Sequence, residues 1–115
     1  MPLYNWNLLP EEQLNPLISR KAIHMKGLTI ARLHLAKGAV VPEHRHVHEQ
    51  VATVERGALK FFIEGRELVL KSGESLAIAS DIPHRVEAIE DTVVVDVFSP
   101  SREDWQSGND SYLRK

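Results

Sequence analysis

The chain of 115 residues has no cysteine. That excludes a disulfide framework, a thiolate metal site and a cysteine nucleophile, and it agrees with a reducing compartment such as the cytoplasm. An excess of either charge is also missing, with 14 lysines and arginines against 16 aspartates and glutamates. No basic patch stands out, so nucleic acid is not an expected partner. No apolar run approaches the roughly 18 residues needed to cross a membrane, so none is expected to do so. The start, Met1-Pro2-Leu3-Tyr4-Asn5-Trp6, lacks a charged stretch followed by an apolar one, so no secretory signal is read there. No repeat or linker is visible, and the length suits one domain over 1–115 that buries its own core.

Helical periodicity is scarce as well. Pro10 and Pro16 interrupt residues 1–20, where Pro10-Glu11-Glu12-Gln13 opens one short turn at most. From Leu28 onward, strand-like runs alternate with turn signals, at 29–36, 44–54, 58–63, 67–70, 75–79, 85–89 and 92–98. Glycines 38, 57, 65 and 73 stand at the corners between them. Roughly seven or eight strands at this spacing predict an all-β sandwich or barrel. After Ser99-Pro100, the run Ser101-Arg102-Glu103-Asp104 starts a short helix with Trp105 as its apolar anchor, followed by a polar tail.

What is present is concentrated in His44-Arg45-His46-Val47-His48-Glu49-Gln50. Read as a strand, the segment puts His44, His46, His48 and Gln50 on one face and Glu49 on the other. His84 follows after further strands and a turn, in Ile82-Pro83-His84. Imidazoles on facing strands are a natural divalent-metal site. Convergent polar groups on the inner face of a small barrel are costly to desolvate without a common partner. Decoration of a solvent-facing strand is the bland alternative. His24 and His34 have no such company and read as ordinary strand or surface residues.

The flanking glycines frame these histidines. Gly38 is followed after five residues by His44, then His46, Gln50 after three more and Gly57 after six. This resembles the first motif of the cupin superfamily, with glutamine where glutamate is most usual. Gly73-Glu74-Ser75-Leu76-Ala77-Ile78, ending at His84, resembles the second motif. Ala79 there replaces the usual proline, Asp81 the usual glycine and Ala88 the usual asparagine. The two motifs cover 38–57 and 73–88, and the resemblance implies a single-domain cupin, a double-stranded β-helix or jelly-roll barrel with a short helical or irregular tail. It also implies that His44, His46, Gln50 and His84 are the metal ligands. His48 matches no ligand position; a neighbour of the ligands, a substrate contact, a solvent-facing residue and a further ligand all remain open for it. Three imidazoles and an amide leave the full double charge on a bound ion, which suits a Lewis acid that polarises or binds a substrate oxygen. Nickel, zinc, manganese, iron and copper all accept imidazole, so one divalent transition metal is expected without its identity.

A second group lies near the end. In Thr92-Val93-Val94-Val95-Asp96-Val97-Phe98, Val94, Asp96 and Phe98 share one face. An acid inside such a β-branched run is costly unless it is paired or faces a cavity. One possibility is an ion pair between Asp96 and Arg102. The other sets Asp96 in the pocket as a proton-transfer residue, with Arg102 as a fork for a substrate carboxylate. HxHxHEQ together with DVFSPxRED resembles the small cupins of the pectin-degradation (KdgF) type. Those enzymes open the ring of 4,5-unsaturated monouronates derived from pectin or alginate. The resemblance implies Asp96 as acid/base, Phe98 as a shaper of the pocket, Arg102 as the carboxylate grip and a small anionic substrate. The alternatives are a cupin dioxygenase, another isomerase or lyase on a different small acid, or a non-catalytic ligand-binding or sensor cupin. Small cupins pair or swap strands, so a homodimer is expected, with the segment carrying Trp6 as a contact.

Overall fold

The structure, a computed structural model, describes residues 1–115. Ten strands follow in chain order: β1 (Glu12–Asn15), β2 (Ile18–His24), β3 (Thr29–Leu35), β4 (Val40–His44), β5 (Glu49–Arg56), β6 (Ala58–Ile63), β7 (Arg66–Lys71), β8 (Ser75–Ile78), β9 (His84–Ala88) and β10 (Thr92–Ser99). A short helix α1 (Glu103–Gln106) and a single 3₁₀ turn (Ser111–Leu113) close the chain. No helix is long and apolar enough to cross a membrane.

The strands form two antiparallel sheets, one of six in the order β1-β2-β3-β10-β5-β8 and one of four in the order β4-β9-β6-β7. Alternation along each strand supplies the inner faces: β3 buries Thr29, Ala31, Leu33 and Leu35 while Ile30, Arg32 and His34 turn outward. The inward residues of both sheets meet in one cluster of 20 buried apolar side chains, among them Leu33, Val54, Leu59, Phe61 and Val94. The all-β barrel expected from the turn spacing is therefore what forms, with α1 beginning at Glu103 and Trp105 buried as its anchor.

Three expectations are corrected. Residues 12–24 are not an isolated turn but a hairpin, β1 and β2, and Pro16 sits in its bend, where Asn15 Oδ1 accepts from the Leu17 amide at 2.8 Å. The proposed strand over 44–54 is two strands, since β4 ends at His44 and β5 begins at Glu49 with a bend between. The C-terminal residues are not a free polar tail: Leu113 is in the core cluster, and Asp110 is fully buried. The half-buried Trp6 has its carbonyl bonded by Lys21 Nζ at 2.8 Å.

Candidate functional site

The inner face of the larger sheet is built in rows across β3, β10 and β5. Leu33, Val94 and Val54 form an apolar floor, and Ala31, Asp96 and Ala52 form the next row. Thr29, Phe98 and Gln50 form the third. Directly opposed residues point the same way, so the two alanines flanking Asp96 leave space over its carboxylate. The smaller sheet contributes His44 and His84, which are direct partners between β4 and β9. A bulge makes this possible. Val41 pairs with Val86 and His44 with His84, so β4 carries one residue more than β9 over that interval. The extra residue, at Pro42-Glu43, resets the parity and turns His44 inward along with Val41.

His46 arrives by a different route, from the bend between β4 and β5. Its carbonyl accepts from the Asp81 amide at 2.8 Å, tying that bend to the turn before β9. Asp81 has φ +62°, a left-handed conformation that aspartate tolerates better than most residues and glycine better still. That is a physical reason for the glycine usual at this position.

The imidazoles share one hydrogen-bonding pattern. His44 Nδ1 meets the Pro42 carbonyl at 2.8 Å, His84 Nδ1 the Ile82 carbonyl at 2.8 Å and His46 Nδ1 the His48 carbonyl at 3.1 Å. A carbonyl only accepts, so each Nδ1 carries the proton and each Nε2 keeps a bare lone pair. Burial pushes His44 and His46 down to about 4, and lowers His84 as well, so all three are neutral at neutral pH. Their ligand atoms lie within 4.8 Å of one another, a group able to hold a metal ion. His46 Nε2 is buried without a hydrogen-bond partner.

Gln50 stands beside them, on β5. Its Nε2 donates to Asp96 Oδ1 at 3.0 Å, which leaves Oε1 a buried acceptor with no partner. A buried polar atom so stranded costs about 1–3 kcal/mol, and a cation is the partner an amide oxygen and bare imidazole nitrogens have in common. The donor set thus fits a divalent transition metal.

Asp96 is 8% exposed. Burial pushes its carboxyl up to about 6, against the opposing effects of the Gln50 hydrogen bond and the Arg102 charge. Arg102 is 1% exposed, stacked over Phe98 at 4.6 Å and over Trp105 at 4.4 Å. It pairs not with Asp96 but with Asp104, by Nε at 3.0 Å and Nη2 at 2.8 Å. Nη2 also donates to the Tyr112 hydroxyl at 2.7 Å, so the bonds to Asp104 and Tyr112 run through Nε and Nη2 and leave Nη1 out.

His44, His46, Gln50, His84, Asp96, Phe98 and Arg102 therefore line a single cavity. Its enclosed part is about 50 Å³, room for an ion and a few waters. The half-buried His44, His46 and Tyr112 mark its mouth. His48 stays outside the ligand group and is buried against Phe98, ring centres 6.3 Å apart. Glu49 is exposed, as alternation predicts. His34 faces solvent, and His24 Nδ1 bonds Thr29 Oγ1 at 2.8 Å, so neither reaches the site. Sequence reasoning missed Asp104 and Tyr112. The signal available for Tyr112 was the apolar pair Tyr112-Leu113 inside an otherwise polar stretch.

Comparison with known proteins bears on this geometry. The model of the cupin domain family matches residues 31–98, which include His44, His46, Gln50, His84, Asp96 and Phe98. The chain is a cupin. The pectin degradation protein KdgF of Dickeya dadantii (strain 3937) is 36% identical to it over 99 residues, 84% of this chain and 90% of that one. The solved structure of KdgF from a Halomonas species superposes with a TM-score of 0.85 at 29% identity, over 90% of this cupin and 99% of that chain. An RmlC-like cupin from Shewanella frigidimarina NCIMB 400 also reaches 0.85, at 24% identity over 91% of this chain and 96% of its own, a likeness of fold.

Proposed function

We propose that this cupin is a metal-dependent enzyme that opens the ring of 4,5-unsaturated monouronates. The observation that carries the reading is one cavity that brings a neutral metal-type donor group together with Asp96 and Arg102. The similarity to KdgF, a pectin degradation protein, gives the substrate class.

His44, His46, His84 and the Gln50 Oε1 would hold the ion. Bound there, with no anionic ligand to reduce its charge, it supplies Lewis acidity toward a substrate oxygen. The remaining work falls to the chain. Arg102 receives the uronate carboxylate through its free Nη1, and Asp104 holds the guanidinium in a fixed plane from its opposite edge. Phe98 packs beneath that guanidinium and closes the apolar wall. Ring opening is an isomerisation: the C1–O5 bond breaks, the anomeric hydroxyl loses its proton, and C4 gains one as a carbonyl forms at C5. Asp96 can perform both transfers: it faces the same cavity beside Gln50, and burial favours its protonated form more than that of an exposed carboxylate. Gln50 fixes Oδ1, which leaves Oδ2 for the substrate.

The test is incubation of the metal-loaded protein with unsaturated galacturonate under anaerobic conditions, with the product read by NMR. Conversion to the linear keto sugar without oxygen is expected. No conversion, or conversion that needs oxygen, would overturn the reading in favour of a binding protein or a dioxygenase respectively.

A further inference from the structure

We propose that Tyr112 is a substrate contact: its hydroxyl donates a hydrogen bond to the same carboxylate that Arg102 receives, and so helps select an acid over its neutral ester. This rests on the reading above that Arg102 takes a carboxylate.

The phenol oxygen of Tyr112 has two lone pairs with which to accept. It accepts from Arg102 Nη2 at 2.7 Å and from Trp105 Nε1 at 3.3 Å. Two N–H donors occupy its lone pairs, so its own proton must point elsewhere, and no protein atom accepts it. Tyr112 lines the cavity and is half-buried at its mouth, with its ring stacked on His44 at 4.5 Å and 27°. A donor without an acceptor, next to the free Nη1 of Arg102, presents two N–H or O–H groups to one small anion. Donation by the two cationic or polarised neighbours also makes that O–H a stronger donor.

Position is enforced rather than incidental. On one side of Tyr112, the fully buried Asp110 pairs with Arg20 at 2.9 Å and with Arg114 at 2.9 Å. On the other, Leu113 enters the core and its carbonyl accepts from Asn15 Nδ2 at 3.1 Å. Tyr112 lines the cavity from its half-buried position, within reach of a sugar acid that enters it.

The test uses Tyr112→Phe in the full, metal-loaded chain. The ring over His44 is kept, and Asp104 still holds Arg102 by two bonds. Calorimetry compares galacturonate with its methyl ester, and turnover of unsaturated galacturonate is followed in parallel. Acid is expected to bind better than ester in the wild type, and the variant to lose about tenfold of that preference, as one hydrogen bond to a charged group warrants. Metal content should match the wild type, while the melting temperature should fall modestly because Arg102 Nη2 and Trp105 Nε1 lose an acceptor. An unchanged preference in the variant, or none in the wild type, overturns the proposal. The two readings separate cleanly: a wild type that prefers acid through Tyr112 but never turns over uronate sinks ring opening and keeps the contact. Turnover with an unchanged preference does the reverse.

Discussion

Three of the site's histidines differ from the fourth in what holds the ring. His44, His46 and His84 each give the Nδ1 proton to a backbone carbonyl, while His48 Nδ1 is buried with no partner. The carbonyl that orients His46 is that of His48, so the His48 side chain is dispensable for orientation while its backbone is not. His48→Ala should therefore retain one metal per chain after dialysis, measured by elemental analysis. His84→Ala should lose most of it, because a buried nitrogen donor goes with the ring. Metal loss in His48→Ala would contradict this assignment. The HxHxHEQ spacing made the site legible at this scale, but parity alone put His48 level with its neighbours. What separates them is the Pro42-Glu43 bulge and the bend over 45–48, and neither leaves a mark in the alternation of residue types.

At the scale of elements, the segment after β10 determines the mouth of the barrel. α1 brings Asp104 to Arg102 and Trp105 to Phe98, whose ring centres are 5.1 Å apart, and the 3₁₀ turn brings Tyr112 to His44. Leu113 is the apolar anchor of that turn and is 4% exposed. Leu113→Ala should cost about 2–5 kcal/mol in urea unfolding, as a cavity is left in a packed core. It should also reduce activity beyond what the lost stability explains, since Tyr112 is adjacent. Loss of stability alone would show that the turn plays no part in the site. The strands from β3 to β10 were legible because glycine corners and period-two alternation coincide there. The β1–β2 hairpin was not, because Pro10 and Pro16 read as helix breakers when Asn15-Pro16 is in fact the hairpin bend. The C-terminal contacts were hidden for a different reason. Arg102 finds Asp104 two residues away and Tyr112 ten residues away, and Asp110 finds Arg20 across 90 residues, pairings that no local pattern encodes.

For the whole molecule, the two chain ends are joined by charge. Arg20 bonds Glu12 at 2.8 Å and Asp110 at 2.9 Å, and Arg114 bonds both acids. Arg20 and Arg102 both lie over the Trp105 ring, at 4.3 Å and 4.4 Å, so this network touches the wall of the site. The Asp110 carboxyl is held below its ordinary range by the Arg114 and Arg20 hydrogen bonds, which outweigh its burial, and the Arg20 bond does the same for Glu12. A carboxyl depressed in the folded state stabilises fully above its unfolded value and loses that contribution as pH falls through the folded one. The melting temperature should thus fall with acidification from about pH 5 downward. In Asp110→Asn the gap from wild type should be wide at neutral pH and narrow as acid protonates the wild-type group. A gap that does not change with pH would show that the charge of Asp110 contributes nothing.

The most direct measurement of the central claim follows the absorbance of the 4,5-double bond of unsaturated galacturonate, comparing the metal-loaded wild type with Asp96→Asn. Asparagine keeps the size of the side chain but cannot exchange protons, so the wild type should bleach the absorbance and the variant should do so at least about a hundredfold more slowly. Both should hold one metal ion per chain. A wild type that leaves the absorbance untouched, or an Asp96→Asn protein with wild-type turnover, would contradict the account.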